Sequence, residues 1–198
     1  MITLPSGVIP NSATPTFVDF GGVQSSPMGG ASQRVNRAGA RYRVSFTLPV
    51  QTPAIARVIV SRLIQAKQDK LRVAMPLNGV SQGTVGTPLV NGAVSAAASS
   101  IPVKGLTASY AMKEGYWMTI VDSSGNRFLH CVTADGTADG TGNLTVSITP
   151  NLRKAFADGD TIILDAPTIE GWVIGDEWQW QLSVEQLTPF EFTIEEVR

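Results

Sequence analysis

His130 and Cys131 are the only imidazole and the only thiol in the 198-residue chain, and they are adjacent. Nucleophilic catalysis of the Ser-His or Cys-His kind needs the base within hydrogen-bond reach of the nucleophile. Both residues fall in Arg127-Phe128-Leu129-His130-Cys131-Val132, which reads as a strand. Consecutive strand residues point to opposite faces. The pair is therefore expected to be divided, one residue in a barrel core and one outside. A structural zinc site needs about four nitrogen or sulfur ligands, and two adjacent ones do not supply it. One cysteine forms no internal disulfide, so the redox compartment is undetermined.

Other chemistry-bearing residues give equally bland readings. Asp135-Gly136-Thr137-Ala138-Asp139-Gly140-Thr141-Gly142-Asn143 is rich in oxygen ligands. It lacks the D-x-D-x-D-G spacing and the distal Glu of a calcium-binding EF-hand loop, and it reads as a hairpin loop. No G-x-x-x-x-G-K-[ST] occurs, and no G-x-G-x-x-G leads from a strand into a helix. Asp158, Asp160 and Asp165 are available for carboxylate chemistry but sit in turn contexts. Trp117, Trp172, Trp178 and Trp180 could stack on sugars or bases. Trp178 and Trp180 share the apolar face of one strand, which favours core packing. The inventory points to a structural or binding protein, not an enzyme, with no catalytic residue, metal ligand or cofactor.

The elements that would position these residues are mostly strands. In Arg41 to Leu48, Tyr42, Val44, Phe46 and Leu48 alternate with Arg41, Arg43, Ser45 and Thr47, the period of a half-buried strand. Pro49 ends it. Thr52-Pro53 opens a helix over about 53–68, with the Thr52 hydroxyl as cap and Pro53 at the first helical position. Ile55, Val58, Ile59, Leu63 and Ala66 form its core stripe, widened by Val60 and Ile64. Leu71 to Met75 makes another strand. Residues 1–16, with prolines at 5, 10 and 15, read as an extended arm that either frays or lies on a neighbouring subunit. Phe17 to Phe20 is a short strand, and Gln33 to Arg37 an edge strand.

Near residue 78 the composition changes. Short β segments separated by turn signals follow, with one helical turn expected over 151–156; this pattern suggests a small barrel or sandwich. The closing stretch returns to clean alternation: Trp178, Trp180, Leu182 and Val184, then Phe190, Phe192 and Ile194 after a Thr188-Pro189 turn. The layout predicts a discontinuous outer domain, 1–84 plus 171–198, with a β domain inserted at 85–170. Insertion is tolerated where the ends lie close together. One continuous β-rich domain is the alternative.

Charged residues make up only 16% of the chain, well under the usual share near a quarter. A surface rich in Ser, Thr, Gln, Asn and Gly suits packing against neighbours. Net charge is −1, without the basic excess that favours nucleic-acid binding. The N-terminal residues carry no secretory pattern. No apolar run reaches the roughly 20 residues of a membrane helix, so a soluble protein without membrane insertion is expected.

A family resemblance runs through these segments. Gln24-Ser25-Ser26-Pro27-Met28-Gly29-Gly30, then Gln33-Arg34-Val35-Asn36-Arg37-Ala38-Gly39 leading into the alternating strand and Leu48-Pro49, resembles the opening of siphophage distal tail proteins. Pro88-Leu89-Val90-Asn91-Gly92, Gly105-Leu106, Glu114-Gly115-Tyr116, Asn126 to His130, Gly159-Asp160, Pro167 and Glu170-Gly171 are similar too. The resemblance implies a β-sandwich ring domain with one α-helix, related to tail-tube proteins, carrying an inserted OB-fold-like barrel. It implies a homohexameric ring in the virion, made in the host cytoplasm, that joins the tail tube, tape measure and tail hub proteins and lets DNA pass. It brings no catalytic residues and no sequence-specific nucleic-acid binding. Another tail component (tube, terminator or tip subunit) and a carbohydrate-binding module acting through Trp117 or Trp172 are the alternatives.

A DNA channel should avoid the salt-dependent attraction of cations for phosphate. The polar face of the closing hairpin carries Glu177, Gln179, Gln181, Ser183, Glu185, Glu191, Thr193 and Glu195, with no Lys or Arg. That face is the expected channel lining. Alternatively, Arg41 and Arg43 pair with these carboxylates at a subunit joint or on an outer surface.

Overall fold

The computed structural model describes residues 1–25, 28–35, 39–77, 79–175 and 188–197. The chain is mainly β, with one α-helix and a closed six-stranded antiparallel barrel. In order, the strands before the barrel are β1 (Ile2–Thr3), β2 (Ser12–Val18), β3 (Gly22–Gln24), β4 (Gln33–Val35), β5 (Arg41–Gln51) and, after helix α1 (Pro53–Gln65), β6 (Leu71–Ala74). Then come β7 (Gly86–Val90), β8 (Ser100–Leu106), β9 (Ala111–Met112), β10 (Trp117–Val121), β11 (Arg127–Val132), β12 (Gly136–Thr137), β13 (Leu144–Thr149) and β14 (Thr161–Ile163). The chain closes with β15 (Thr168–Ile174) and β16 (Thr188–Glu196).

An open sheet in the order β1-β6-β15-β16-β5-β2 takes both ends of the chain. The alternation along β5 works as its residue types dictate: Tyr42, Val44, Phe46 and Leu48 are buried, and Ser45 and Thr47 face away. On β16, Phe190, Phe192 and Ile194 occupy the same dry face, with Phe46 and Phe192 paired at a ring separation of 5.6 Å. Ala56, Ile59, Leu63 and Ala66 of α1 complete this core with Leu71, Val73, Ile169 and Val173.

The helix is rotated from the stripe expected of it. Ile55, Val58 and Ile64 are exposed, while Ala56 is buried. The covered face is narrow, formed by Ala56, Ile59, Leu63 and Ala66, and Ile55, Val58 and Ile64 lie outside it. Thr52 does stand at the N-cap with Pro53 behind it, but its hydroxyl caps nothing. Its backbone carbonyl instead accepts the N–H groups of Ile55 and Ala56.

The N-terminal arm neither frays nor leaves the subunit. β1 runs parallel to β6, and β2 pairs with β5 from Ser12↔Thr47 to Val18↔Arg41. Pro15 is tolerated because β2 is an edge strand. β4 pairs only with β3, as a separate ribbon.

The barrel closes in the order β10-β11-β13-β8-β7-β14, with β14 pairing to both β7 and β10. Val90, Ile101, Val103, Met118, Ile120, Val132, Val146, Ile148 and Ile162 fill it. Residues 151–156 form no helical turn; Phe156 instead bridges Val94, its backbone satisfied across the chain. Thr168–Glu170 belong to the open sheet, where Thr168, Ile169 and Glu170 pair with Ala74, Val73 and Arg72.

The two units share a seam. Trp117, Leu129 and Cys131 point out of the barrel into the core of the sheet, and Trp117 meets Tyr42 edge to face at 5.0 Å. Thr119, on the same outer face, donates its hydroxyl to the Thr168 carbonyl at 2.9 Å and accepts the Thr168 N–H at 2.7 Å.

Candidate functional site

The strand that carries His130 and Cys131 divides them. His130 is fully buried on the inner side of the barrel wall, and its Nδ1–H donates to the Pro150 carbonyl at 2.9 Å. Burial pushes the imidazole down to about 3, so it is neutral over the physiological range. Cys131 is half-buried on the outer side, and burial, then Glu114, raises its thiol. Neither group can activate the other.

The oxygen-rich loop is tied to itself. Asp139 accepts the N–H groups of Thr141 and Asn143 at 2.8 and 2.9 Å and the Thr141 hydroxyl at 2.7 Å. These bonds, that from Asn143 N–H foremost, hold its carboxyl at about 2. Among the described residues no group of three or more His, Cys, Asp or Glu is placed to hold a metal ion. Asp158 accepts Lys104 Nζ at 2.6 Å and Gly92 N–H at 2.7 Å, and Asp160 caps its own turn at Ala157. Asp165 accepts the N–H of Ala166. Trp117 is half-buried, packed against the core of the sheet, Trp172 stands 48% exposed, and Trp178 and Trp180 lie outside the described residues.

Of the face expected to line a channel, Glu177, Gln179, Gln181 and Glu185 lie outside the described residues. Glu191 is exposed opposite Thr47. Glu195 is engaged within the chain. Arg41 Nε donates to its Oε1 at 2.7 Å, and Arg43 Nε and Nη2 donate to its Oε2 at 2.9 and 2.6 Å. Burial raises the Glu195 carboxyl, but the two guanidiniums outweigh it and hold it below its ordinary range. This part of the polar face is therefore a closed cation–anion–cation fork, with Trp172 directly across from Glu195 on β15.

Sequence reasoning missed a charged cleft of about 400 Å³ at the seam. It is lined by Lys70, Asp122, Asn126, Arg127, Phe128, Arg153, Lys154, Glu170 and Val197. Each element brings its share for local reasons. The turn after β10 is held by Asp122, which accepts the N–H groups of Ser124 and Asn126, both at 2.9 Å. Lys154 Nζ reaches the same carboxylate at 2.7 Å. Burial raises the Asp122 carboxyl, and the bonds from Lys154 and Asn126 overcome this and bring it to about 2. From the sheet, Arg72 grips Glu170 at 2.8 Å and the Gly125 carbonyl at 3.1 Å, and Lys70 donates to Asn126 at 2.9 Å.

Arg127 is the exception. Its Nη1 donates to the Thr168 hydroxyl at 2.9 Å, its buried Nε has no partner, and it makes no ion pair among the described residues. Burial, then Arg72, lowers its pKa; a guanidinium remains charged nonetheless. Arg153 lines the same cleft, over the Phe128 ring at 5.2 Å, with a buried Nε also unpartnered. The cleft residues are scattered over a hundred positions, and no motif joins them. Only the parity of β16 carried a signal: Phe190, Phe192 and Ile194 put Glu196, Arg153's partner, on the buried face.

No protein-family model matches the chain, and no curated protein matches it.

Proposed function

We propose that this chain is a structural subunit of a bacteriophage tail: a distal ring that joins the tail tube to the hub at the tip and lets DNA pass. The observation that carries this reading is the architecture. A helix-backed open sheet is built from both ends of the chain, and a complete closed barrel is strung between two of its neighbouring strands. In this reading the open sheet is the tail-tube-like layer of the ring domain. The barrel corresponds to its OB-like insert, with six strands in place of the five of that fold. Uncovered apolar side chains support an assembling subunit: Ile55, Val58 and Ile64 on α1, and Phe17, Val23 and Val35 on the N-terminal strands. Its partners would be further copies of itself, the tube, tape measure and hub proteins. Native mass spectrometry with negative-stain imaging tests this. Hexamers and rings are expected; a strictly monomeric species at high concentration overturns the reading.

A second reading, carbohydrate binding at a host surface, is favoured by one observation. Trp172 is exposed beside a cleft of about 370 Å³ that it shares with Arg41, Ile174 and Glu195. Glycan-array binding that Trp172→Ala abolishes would support it, and an array without hits removes it.

A further inference from the structure

We infer that the cleft between barrel and sheet is a binding site for a small multivalent oxyanion, whose oxygens are carried by phosphate or carboxylate groups. Four cationic side chains line it, Lys70, Arg127, Arg153 and Lys154, against two carboxylates, Asp122 and Glu170. Both carboxylates are already engaged, Asp122 by Lys154 and Asn126, and Glu170 by Arg72 and, at 3.6 Å, by Lys70. Adding Arg72 and Glu196, the ion-pair partners of Glu170 and Arg153 among the described residues, leaves the cationic excess unchanged. This excess sits in a chain whose net charge is −1.

Charge alone would describe many solvated surfaces. Here the receptive groups are also sheltered and incompletely bonded. The Nε–H groups of Arg127 and Arg153 are both buried and unpartnered. Buried donors left without acceptors are uncommon, and each one costs stability. The charge of Arg153 is met by Glu196, whereas Arg127 has no ion-pair partner among the described residues, so water could satisfy its hydrogen bond but not its charge. An oxyanion satisfies both, and planar guanidiniums bind phosphate and carboxylate oxygens through paired N–H donors. Lys154 stands at the half-exposed mouth, where its ammonium can meet a second anionic group of the same ligand. The volume of about 400 Å³ admits a diphosphate or a tricarboxylate. The site has a defined floor, because Arg127 is anchored on Thr168 and Arg153 on the Val197 carbonyl.

Isothermal titration of the full chain at about 20 mM salt tests this, with inorganic pyrophosphate and citrate as separate probes. Saturable binding of at least one is expected, and the probe that binds identifies the source, phosphate or carboxylate. Arg127→Gln should weaken it by about tenfold or more, and Arg127→Lys, which keeps the charge but loses the fork, by an intermediate factor. Lys154→Gln should weaken it by about threefold. Lys113→Gln removes an exposed lysine paired with Asp135 outside the cleft and should change nothing. If Arg127→Gln does not fold, Lys154→Gln still decides, because its side chain is half-exposed. The assignment is overturned if neither probe saturates the wild type by about 10 mM, or if Lys154→Gln binds like the wild type. The outcome does not depend on ring assembly, so it stands or falls separately from the tail reading.

Discussion

Arg153 and Glu196 form a buried ion pair that ties the last rung of β16 to the barrel. The guanidinium Nη2 lies 2.9 Å from Glu196 Oε1, and both side chains are almost completely enclosed. Glu196 also accepts the backbone N–H of Tyr42 from β5 and of Leu129 from β11. Burial raises its pKa, and Arg153 with the two N–H groups only partly offsets this. Arg153→Met strands the carboxylate and should destabilise the fold by about 3–5 kcal/mol at neutral pH. A carboxyl whose folded pKa is raised contributes stability at low pH and loses it as pH rises through the folded value. The penalty of Arg153→Met should therefore shrink as pH is lowered toward the carboxylate range. Urea unfolding of the wild type and variant across that range checks it; a pH-independent penalty counts against the buried charge.

His130 acts in the opposite direction. The unfolded chain takes up a proton below about pH 6.5, and the folded chain refuses it until about 3. Its contribution is present above the unfolded value and lost as pH falls through that window, at about 1.4 kcal/mol per pH unit. His130→Gln should flatten the acid limb of the stability curve by one proton's worth, whatever it does at neutral pH. Equal acid slopes for the two proteins would mean the imidazole is not held neutral.

The polar face of the sheet contains two glutamates of different kinds. Glu195→Ala leaves Arg41 and Arg43 side by side without their shared anion and should cost about 1–3 kcal/mol. Glu191→Ala, at an exposed position, should stay within about 0.5 kcal/mol. Thermal unfolding separates them. It follows that Glu191→Lys, without any change at Glu195, is the clean probe of a DNA channel. Intact rings with slowed DNA ejection are expected if this face lines it, and unchanged ejection removes that assignment.

Gly171 is where the backbones of β15 and β16 come too close for a side chain. A Cβ there would collide with the Glu195 carbonyl oxygen and lie 2.9 Å from the Glu196 Cα. Gly171→Ala must push the two strands apart and should cost about 2–4 kcal/mol. Hydrogen exchange should show the loss concentrated along the β15–β16 ladder.

What could be read in the sequence was whatever depends on neighbours along the chain. The parity of Tyr42, Val44, Phe46 and Leu48, and the division of His130 from Cys131, follow from strand geometry and appear in the structure as such. The helix was legible in existence but not in phase. Ile55 and Val58 are as apolar as Ile59, and only the sheet beneath decides which of them is covered. β2 was hidden by Pro15 and its run of Ser and Thr, because an edge strand is defined by its partner, here β5. The charged cleft was illegible for the same reason at longer range: Lys70, Arg127, Arg153 and Glu170 meet only through folding.

Thr168 stands beside Ala74 in the β15–β6 ladder, and the Met75 N–H donates to the Pro167 carbonyl just beyond. The chain thus leaves the sheet for the barrel and re-enters it at adjoining rungs. This makes the barrel a cassette, since antiparallel neighbours need no more than a two-residue turn to join them. Exchange carries one condition. Trp117, Leu129 and Cys131 plug the end of the sheet's core, and Thr119 satisfies both backbone groups of Thr168. A bare turn in place of the barrel would uncap Tyr42, which Trp117 covers edge to face. A transplanted barrel must bring its own apolar plug and a hydroxyl at the same height.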